Sequence, residues 1–291
     1  MVAVSSAAVL ISLALAEGVP ALAVAALRVG LAAVVTAPVA FVRSSREIRG
    51  LSRRDLVLCL VSGALLAMHF AFWTSSLNST SVMSSVVFVS TNPVFVGIAS
   101  ALILREKPGA WVVAGIIVAA AGGAVVGFAD VGQAGGESLK GDVLALLGAL
   151  CGSGYLLVGR SVRARLSLTA YVGVAYTTAA ILLLGLVAAT RTPLSGFSVN
   201  GYLWVVLLAV GPQLIGHTSY NWALKYVTAT FATVTLLAEP IGATLLAIPV
   251  LGQVPTPVRI AGAALILGGI FLAARGEAGA KGRLHREKGV P

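Results

Sequence analysis

Apolar stretches of about bilayer length follow one another along this chain almost without a break. A spanning helix needs roughly 20 mostly apolar residues to cross about 30 Å of hydrocarbon. Reading the runs between charges and turn residues gives ten of them, at approximately 2–16, 21–42, 56–77, 81–104, 111–128, 143–158, 168–189, 203–224, 228–251 and 258–274. The loops between them are mostly short; the longest, 129–141, is Gly-rich, and none holds a soluble domain. Composition agrees. Of the residues 58% are hydrophobic and only 10% charged, against about 25% charged in a soluble domain, so the apolar surface must face lipid. Cys59 and Cys151 both sit inside apolar runs and read as free buried thiols. Asn78-Ser79-Thr80 matches a glycosylation pattern but fills a very short turn between spans, and is read as chance.

Orientation follows from where Lys and Arg fall. An N-terminus in the cytoplasm puts Arg43, Arg46, Arg49, Arg53 and Arg54 in the loop after span two, and Arg105 and Lys107 after span four. It also puts Arg160, Arg163 and Arg165 after span six, Lys225 after span eight, and Arg275, Lys281, Arg283, Arg286 and Lys288 in the tail. The opposite side receives Lys140, Arg191 and Arg259, while Arg28 lies within span two. Both termini are therefore expected in the cytoplasm. The net charge of +10 then needs no nucleic acid: the basic loops face anionic inner-leaflet lipid.

The two halves repeat at an interval of 147 residues. Pro93 matches Pro240 and Glu106 matches Gln253; Gly115 matches Gly262 and Gly122 matches Gly269. Upstream, Leu56 matches Leu203, Trp73 matches Tyr220 and Leu77 matches Leu224. One shared offset carries more weight than any single match. Five spans per half is an odd number, so the second half is inverted relative to the first. Inverted repeats typify secondary transporters, whose sites lie near the midplane between the halves. The expected fold is an all-α polytopic membrane protein of ten helices in two inverted five-helix repeats. The first repeat covers 1–128 and the second 142–275. A non-cytoplasmic loop, 129–141, connects them, and a basic cytoplasmic tail, 276–291, follows.

Two segments, STNPVFVGIASALILREKPGAWVVAGIIVAAAGG at 90–123 and AEPIGATLLAIPVLGQVPTPVRIAGAALILGG at 238–269, resemble the EamA family of the drug/metabolite transporter superfamily. Ala26-Leu27-Arg28 and the stretch 141–160 are similar to that family as well, so the resemblance covers essentially the whole chain. It implies a permease for small metabolites, often an exporter, with both termini cytoplasmic and a central cavity lined by spans one, three, four, six, eight and nine. Two departures stand out. Ser5-Ser6 takes the place of the Trp-Gly pair common in the family's first helix, and Gln253 replaces the Glu usual at the end of the second repeat's motif.

Glu239 is the sharpest candidate for transport chemistry. It lies eleven residues into span nine, hence about 16 Å deep at 1.5 Å per residue. A carboxylate at the bilayer centre costs roughly 2.5–3.5 kcal/mol on insertion scales. Pro240 follows it, lacking an N–H and crowding the preceding turn, so a bend is expected beside the carboxylate. Glu239 is read as binding a proton or a substrate's amino group; the competing reading is a structural acid bonded to a neighbouring helix. Asn92, before Pro93, occupies the equivalent place in the first half. Paired interrupted helices point to a transporter site, or else to a pair of packing kinks.

Arg28 lies eight residues beyond Pro20, about 12 Å from that end of its span. It needs a carboxylate, carbonyl groups or water as its partner, with Glu17 and Glu239 as the nearby acids, and is expected to pin helices together more than to bind substrate. His69 and Trp73 share one helix face of span three, and His217 and Asn221 one face of span eight, each pair four residues apart. Gln213 extends the second face, and Tyr155 can offer a ring and hydroxyl from span six. The histidines can relay protons or simply pack.

The expected function is a secondary transporter in the cytoplasmic membrane, moving a small polar metabolite by alternating access. Export with proton coupling competes with an uncoupled importer or exchanger. The expected partners are a small-molecule substrate, the lipid bilayer and protons, with no cofactor and no bound metal. An intramembrane enzyme needs a nucleophile–base pair, paired acids or metal ligands. Ser153 within Gly-Ser-Gly, together with His217, is the nearest approach to one, so the chain is not expected to be an enzyme.

Overall fold

A computed structural model describes residues 2–92, 94–96, 98–99, 109–134, 136–226 and 238–287. Among them every regular element is helical. Helices α1 (Val2–Ser5) and α2 (Ala7–Ala16) form span one, broken at Ser6, and α3 (Ala21–Arg49) is span two. Span three is α4 (Arg53–Ser76), span four begins with α5 (Val82–Val89), and span five is α6 (Ala110–Ala134). Spans six and seven are α7 (Gly136–Arg163) and α8 (Leu168–Ala189). Span eight joins α9 (Val199–Leu208), a π-helical turn region (Ala209–His217) and α10 (Thr218–Ala223). Spans nine and ten are α11 (Ala238–Leu251) and α12 (Pro257–Glu287). Five of the described helices, 22 to 29 residues long, are apolar enough to cross a bilayer, and shorter apolar helices supply the other spans.

Helix starts follow from local chemistry. Ser52, Ser81, Ser167 and Ser198 each sit in extended backbone, and each side chain accepts from the amide three residues on. The first amides of a helix have no partner within it, so a serine oxygen satisfies one of them. Gln253 adds a fifth case from a distance: its Oε1 accepts from the Val82 amide at 3.0 Å. The amide oxygen thus gives α5 an acceptor at the position where the family usually has an acid.

The sequence reading underestimated the helices at two places. Residues 129–141 were expected to form a Gly-rich loop, yet α6 runs to Ala134 and α7 starts at Gly136. Glycine weakens a helix by about 1 kcal/mol per residue without forbidding it. The tail expected from 276 likewise continues α12 to Glu287. With 31 residues that helix is about 46 Å long, more than the hydrocarbon thickness.

The inverted repeat is visible in how the helices pack. Span three lies along span six as span eight lies along span one, and span four meets span six as span nine meets span one. The pairs two–seven, four–nine and five–ten are their own counterparts. At the five–ten crossing the backbones touch. A methyl group on Gly115 would meet the Gly269 carbonyl at 2.5 Å, and one on Gly122 would meet the Gly262 carbonyl at 2.7 Å. As one partner's number rises by seven the other's falls by seven, so α6 and α12 are antiparallel. Moving each residue by 147 turns the first contact into the second. A pseudo-twofold axis therefore runs through this crossing, and small residues let the helices close on it.

Candidate functional site

The repeat brings four interrupted or polar spans to the centre. His217 and Phe70 are 147 apart in sequence, and their rings meet edge-on at 5.2 Å between centroids. Repeat mates in contact must straddle the axis, so this pair marks the middle of the molecule. His69 lies 6.4 Å from His217 and stacks on Trp73 at 5.8 Å, while its Nδ1 donates to the Gly148 carbonyl at 2.8 Å. A methyl group on Gly152 would fall 2.9 Å from that Nδ1 and 3.3 Å from Asn92 Oδ1. Only a glycine there lets span six approach both side chains.

Around these groups lies a small cavity of about 60 Å³, lined by His69, Trp73, Ser90, Asn92, Tyr155, His217, Tyr220 and Glu239, with Val4, Val89, Gly152 and Leu156. The lining residues come from spans one, three, four, six, eight and nine. Glu239 stands in the first described turn of α11, nearly buried, and makes no hydrogen bond among the described residues. Pro240 follows it in that turn. Pro93, its repeat mate, lies outside the described residues. Asn92 accepts from Ser153 Oγ at 3.0 Å, and the same hydroxyl also donates to the Ala149 carbonyl at 2.7 Å. Among the described residues no Ser153–His217 hydrogen bond exists, so that pair is not assembled as nucleophile and base. Nor do three His, Cys, Asp or Glu side chains there come together as metal ligands.

Arg28 is met by an amide carbonyl and two rings and not by an acid. Glu17 was one candidate partner, but its carboxylate sits at the protein's edge and accepts from Ser198 Oγ at 2.6 Å. Arg28 is instead fully buried, its Nε donating to Gln213 Oε1 at 2.9 Å. The guanidinium lies 4.1 Å over the Phe70 ring and 5.9 Å from the Trp73 ring. Such faces attract a cation most where water is excluded. Glu239 is close enough for its charge to be felt at Arg28, without a direct ion pair between them.

Gln213 and His217 are carried by the π-helical region, which contains Pro212. Proline has no amide proton to give the preceding turn, and π-helical turns recur where a regular ladder is interrupted, frequently at functional sites. Gly211-Pro212 in mid-span was the legible signal for this break. Tyr155 and Asn221 pair directly: Tyr155 Oη donates to Asn221 Oδ1 at 2.9 Å, and Asn221 Nδ2 donates to Tyr176 Oη at 3.3 Å. The Asn221 carbonyl accepts from Arg163 Nε at 2.9 Å, and Arg163 also bonds the Leu166 carbonyl. Arg163 was placed in an open loop by sequence; it is buried at the end of α7. Tyr171 and Tyr176 were overlooked. Two tyrosines five residues apart in an otherwise apolar span seven were the signal that buried hydroxyls need partners, and Tyr171 finds one in Ser62 at 2.6 Å.

A second, apolar cavity of about 550 Å³ lies on the other side of span four, against α6, α7 and α12. Phe88, Thr91 and Phe95 face it, whereas Val89, Ser90 and Asn92 face the polar one.

Known proteins fit this architecture. An uncharacterized transporter of Clostridium kluyveri is 27% identical over 207 residues, which is 68% of this chain and 64% of that protein. The match thus spans a little under two thirds of that relative's length. A crystal structure of another protein superposes with a TM-score of 0.64 at 22% identity, covering 94% of both chains, and so shares the fold. Residues 1–128 and 139–275 both match the EamA-like transporter family, one match for each five-span repeat. With the repeat, the ten-span packing and both halves matched, the chain belongs to the EamA-like transporter family.

Proposed function

We propose that this protein is a secondary transporter that exports a small polar metabolite, an amino acid or similar compound, across the cytoplasmic membrane by alternating access coupled to protons. The observation that carries the reading is one polar cavity at the pseudo-twofold axis, bordered by six spans from both repeats and containing Glu239. A site shared by two inverted repeats can be presented to either side when the repeats exchange conformations. Family membership and the transporter relative support the same reading.

In this account Glu239 binds the coupling proton or the substrate's amino group. Asn92, its mate in the other repeat, and Tyr155, His69, Trp73, Tyr220 and His217 shape the rest of the pocket. Asn221 and Gln213 stand behind it, fixing Tyr155 and Arg28. The excess of basic residues in the loops after spans two, four, six and eight supports cytoplasmic termini.

The test is flux into proteoliposomes holding the purified full chain, with a panel of radiolabelled amino acids and small organic acids. At least one compound is expected to exceed its rate into protein-free vesicles and to respond to a proton gradient. Glu239→Gln should abolish that response. Unchanged flux and unchanged pH dependence in Glu239→Gln would remove the acid from the mechanism; everted vesicles from cells lacking and expressing the protein decide direction.

A further inference from the structure

The polar groups around the central cavity are unevenly balanced. Arg28 Nη1 and Nη2, Trp73 Nε1 and Ser90 Oγ are all buried without a hydrogen-bond partner among the described residues. Trp73 and Ser90 line the cavity, and Arg28 lies against the inner faces of Phe70 and Trp73. Three of these four atoms can only donate, and the hydroxyl can donate as well. Buried donors left in excess call for an acceptor. Among the described residues the carboxylate that lines this cavity is Glu239, on its span-nine side. A ligand suited to these donors is rich in oxygen acceptors and carries negative charge.

Charge sets the second condition. The fixed cation at this depth is Arg28, anchored by Gln213 and two aromatic faces, and Glu239 is the carboxylate whose charge reaches it. The other polar groups lining the cavity with Glu239 are His69 from α4, Tyr155 from α7, and His217 and Tyr220 from span eight, while α1 brings Val4. With Glu239 ionised, Arg28 and Glu239 together are neutral. An anion entering beside an ionised Glu239 would leave an uncompensated charge in low dielectric, where it is costly.

We propose that the cavity takes a small carboxylate monoanion, its oxygens accepting from Trp73 Nε1 and Ser90 Oγ in the field of Arg28, and that it loads together with one proton on the Glu239 carboxyl. This rests on the transport reading, selects the proton over the substrate amine as the occupant of Glu239, and makes export a joint efflux of anion and proton down the metabolite's own gradient. The balance is simple: one anion and one proton enter, the proton neutralises Glu239, and the anion replaces Glu239 as the counter-charge of Arg28. Empty and loaded sites then carry the same net charge. Arg28 is a positioning residue here, acting through its field and through the rings it holds.

The experiment uses labelled glycerate, a small monocarboxylate too polar to cross lipid rapidly, and labelled glycine as the zwitterionic comparison. Proteoliposomes with a tenfold proton gradient should accumulate glycerate about tenfold, since one coupled proton contributes its whole gradient. A potential imposed with valinomycin and potassium should leave that accumulation unchanged. Glu239→Gln should retain glycerate counterflow and lose proton-driven accumulation. Ser90→Ala, which removes one donor with little change of shape, and Trp73→Phe, which keeps a ring but loses the indole N–H, should each raise KM for glycerate roughly fivefold to tenfold with little change in kcat. Arg28→Lys should keep part of the glycerate flux that Arg28→Gln loses, and the donor variants decide the matter if Arg28→Gln does not fold. Saturable glycine flux with no glycerate flux overturns the proposal and leaves the transport reading standing, as does glycerate flux that follows the potential. Absence of flux for every compound in the panel overturns both.

Discussion

Spans three and eight occupy equivalent places in the two repeats, yet they do different work at the centre. Span three is one regular helix, α4, that turns an aromatic face inward with Phe70 and Trp73. Span eight is broken by the π-helical region and turns inward a polar one with Gln213 and His217. The mates across the offset of 147 make the contrast explicit: Gln213 answers to Leu66, Pro212 to Leu65, and His217 to Phe70. Arg28 sits between the two faces, stacked on one and bonded to the other. Symmetry therefore builds the frame, and departures from it build the site.

The largest expected effect comes from the aromatic side of that contrast. Phe70→Ala removes a fully buried ring and the face beneath the guanidinium, and should destabilise the protein by about 3–5 kcal/mol. Its mark is a lower midpoint of thermal unfolding in detergent. Retention of the wild-type midpoint would show that the ring is not part of the Arg28 seat. On the polar side, Gln213→Leu makes span eight resemble span three and deletes a bond to a charged group, at a cost of roughly 1.5–3 kcal/mol. The double variant Gln213→Leu with Arg28→Met should recover part of that loss in the same melt, because no unpaired charge then remains.

A sharper comparison sets the symmetric frame against the asymmetric site. Gly115→Ala and Gly262→Ala are repeat mates at the five–ten crossing, where an added methyl meets opposing main chain. Each should cost about 1–3 kcal/mol by overpacking, and the two should agree closely if that crossing is as symmetric as the packing indicates. Gly30→Ala, with open space around it, should instead be neutral or stabilise by up to about 1 kcal/mol. The smallest effects belong to the helix starts: Ser52→Ala and Ser198→Ala should each cost about 1 kcal/mol. The two should agree closely, because each hydroxyl also donates to a carboxylate, Asp55 for Ser52 and Glu17 for Ser198.

Much of the frame was readable before any coordinates, for a definite reason. Lipid demands about 20 apolar residues per crossing, so spans are written in plain composition, and the offset of 147 exposes the inversion. The residues around Glu239 and Asn92 could be nominated because polar groups are rare at that depth. What could not be read is how each helix is turned about its own axis. Arg28 needed a partner, and proximity along the chain suggested Glu17, but rotation of span two aims it at Gln213 instead. The π-helical turns were missed because a single Pro212 signals a break without saying how the backbone repairs it. Gly136 misled in the opposite direction: it opens α7 where a loop was expected.

The crossing of α6 and α12 carries one further implication. When two related halves trade shapes, the whole assembly is turned about their common axis, and whatever lies on that line stays put. Gly115, Gly122, Gly262 and Gly269 lie around it with main chain against main chain. In the alternating-access cycle proposed above they would form a fulcrum, with the greatest travel in the helices farthest from it.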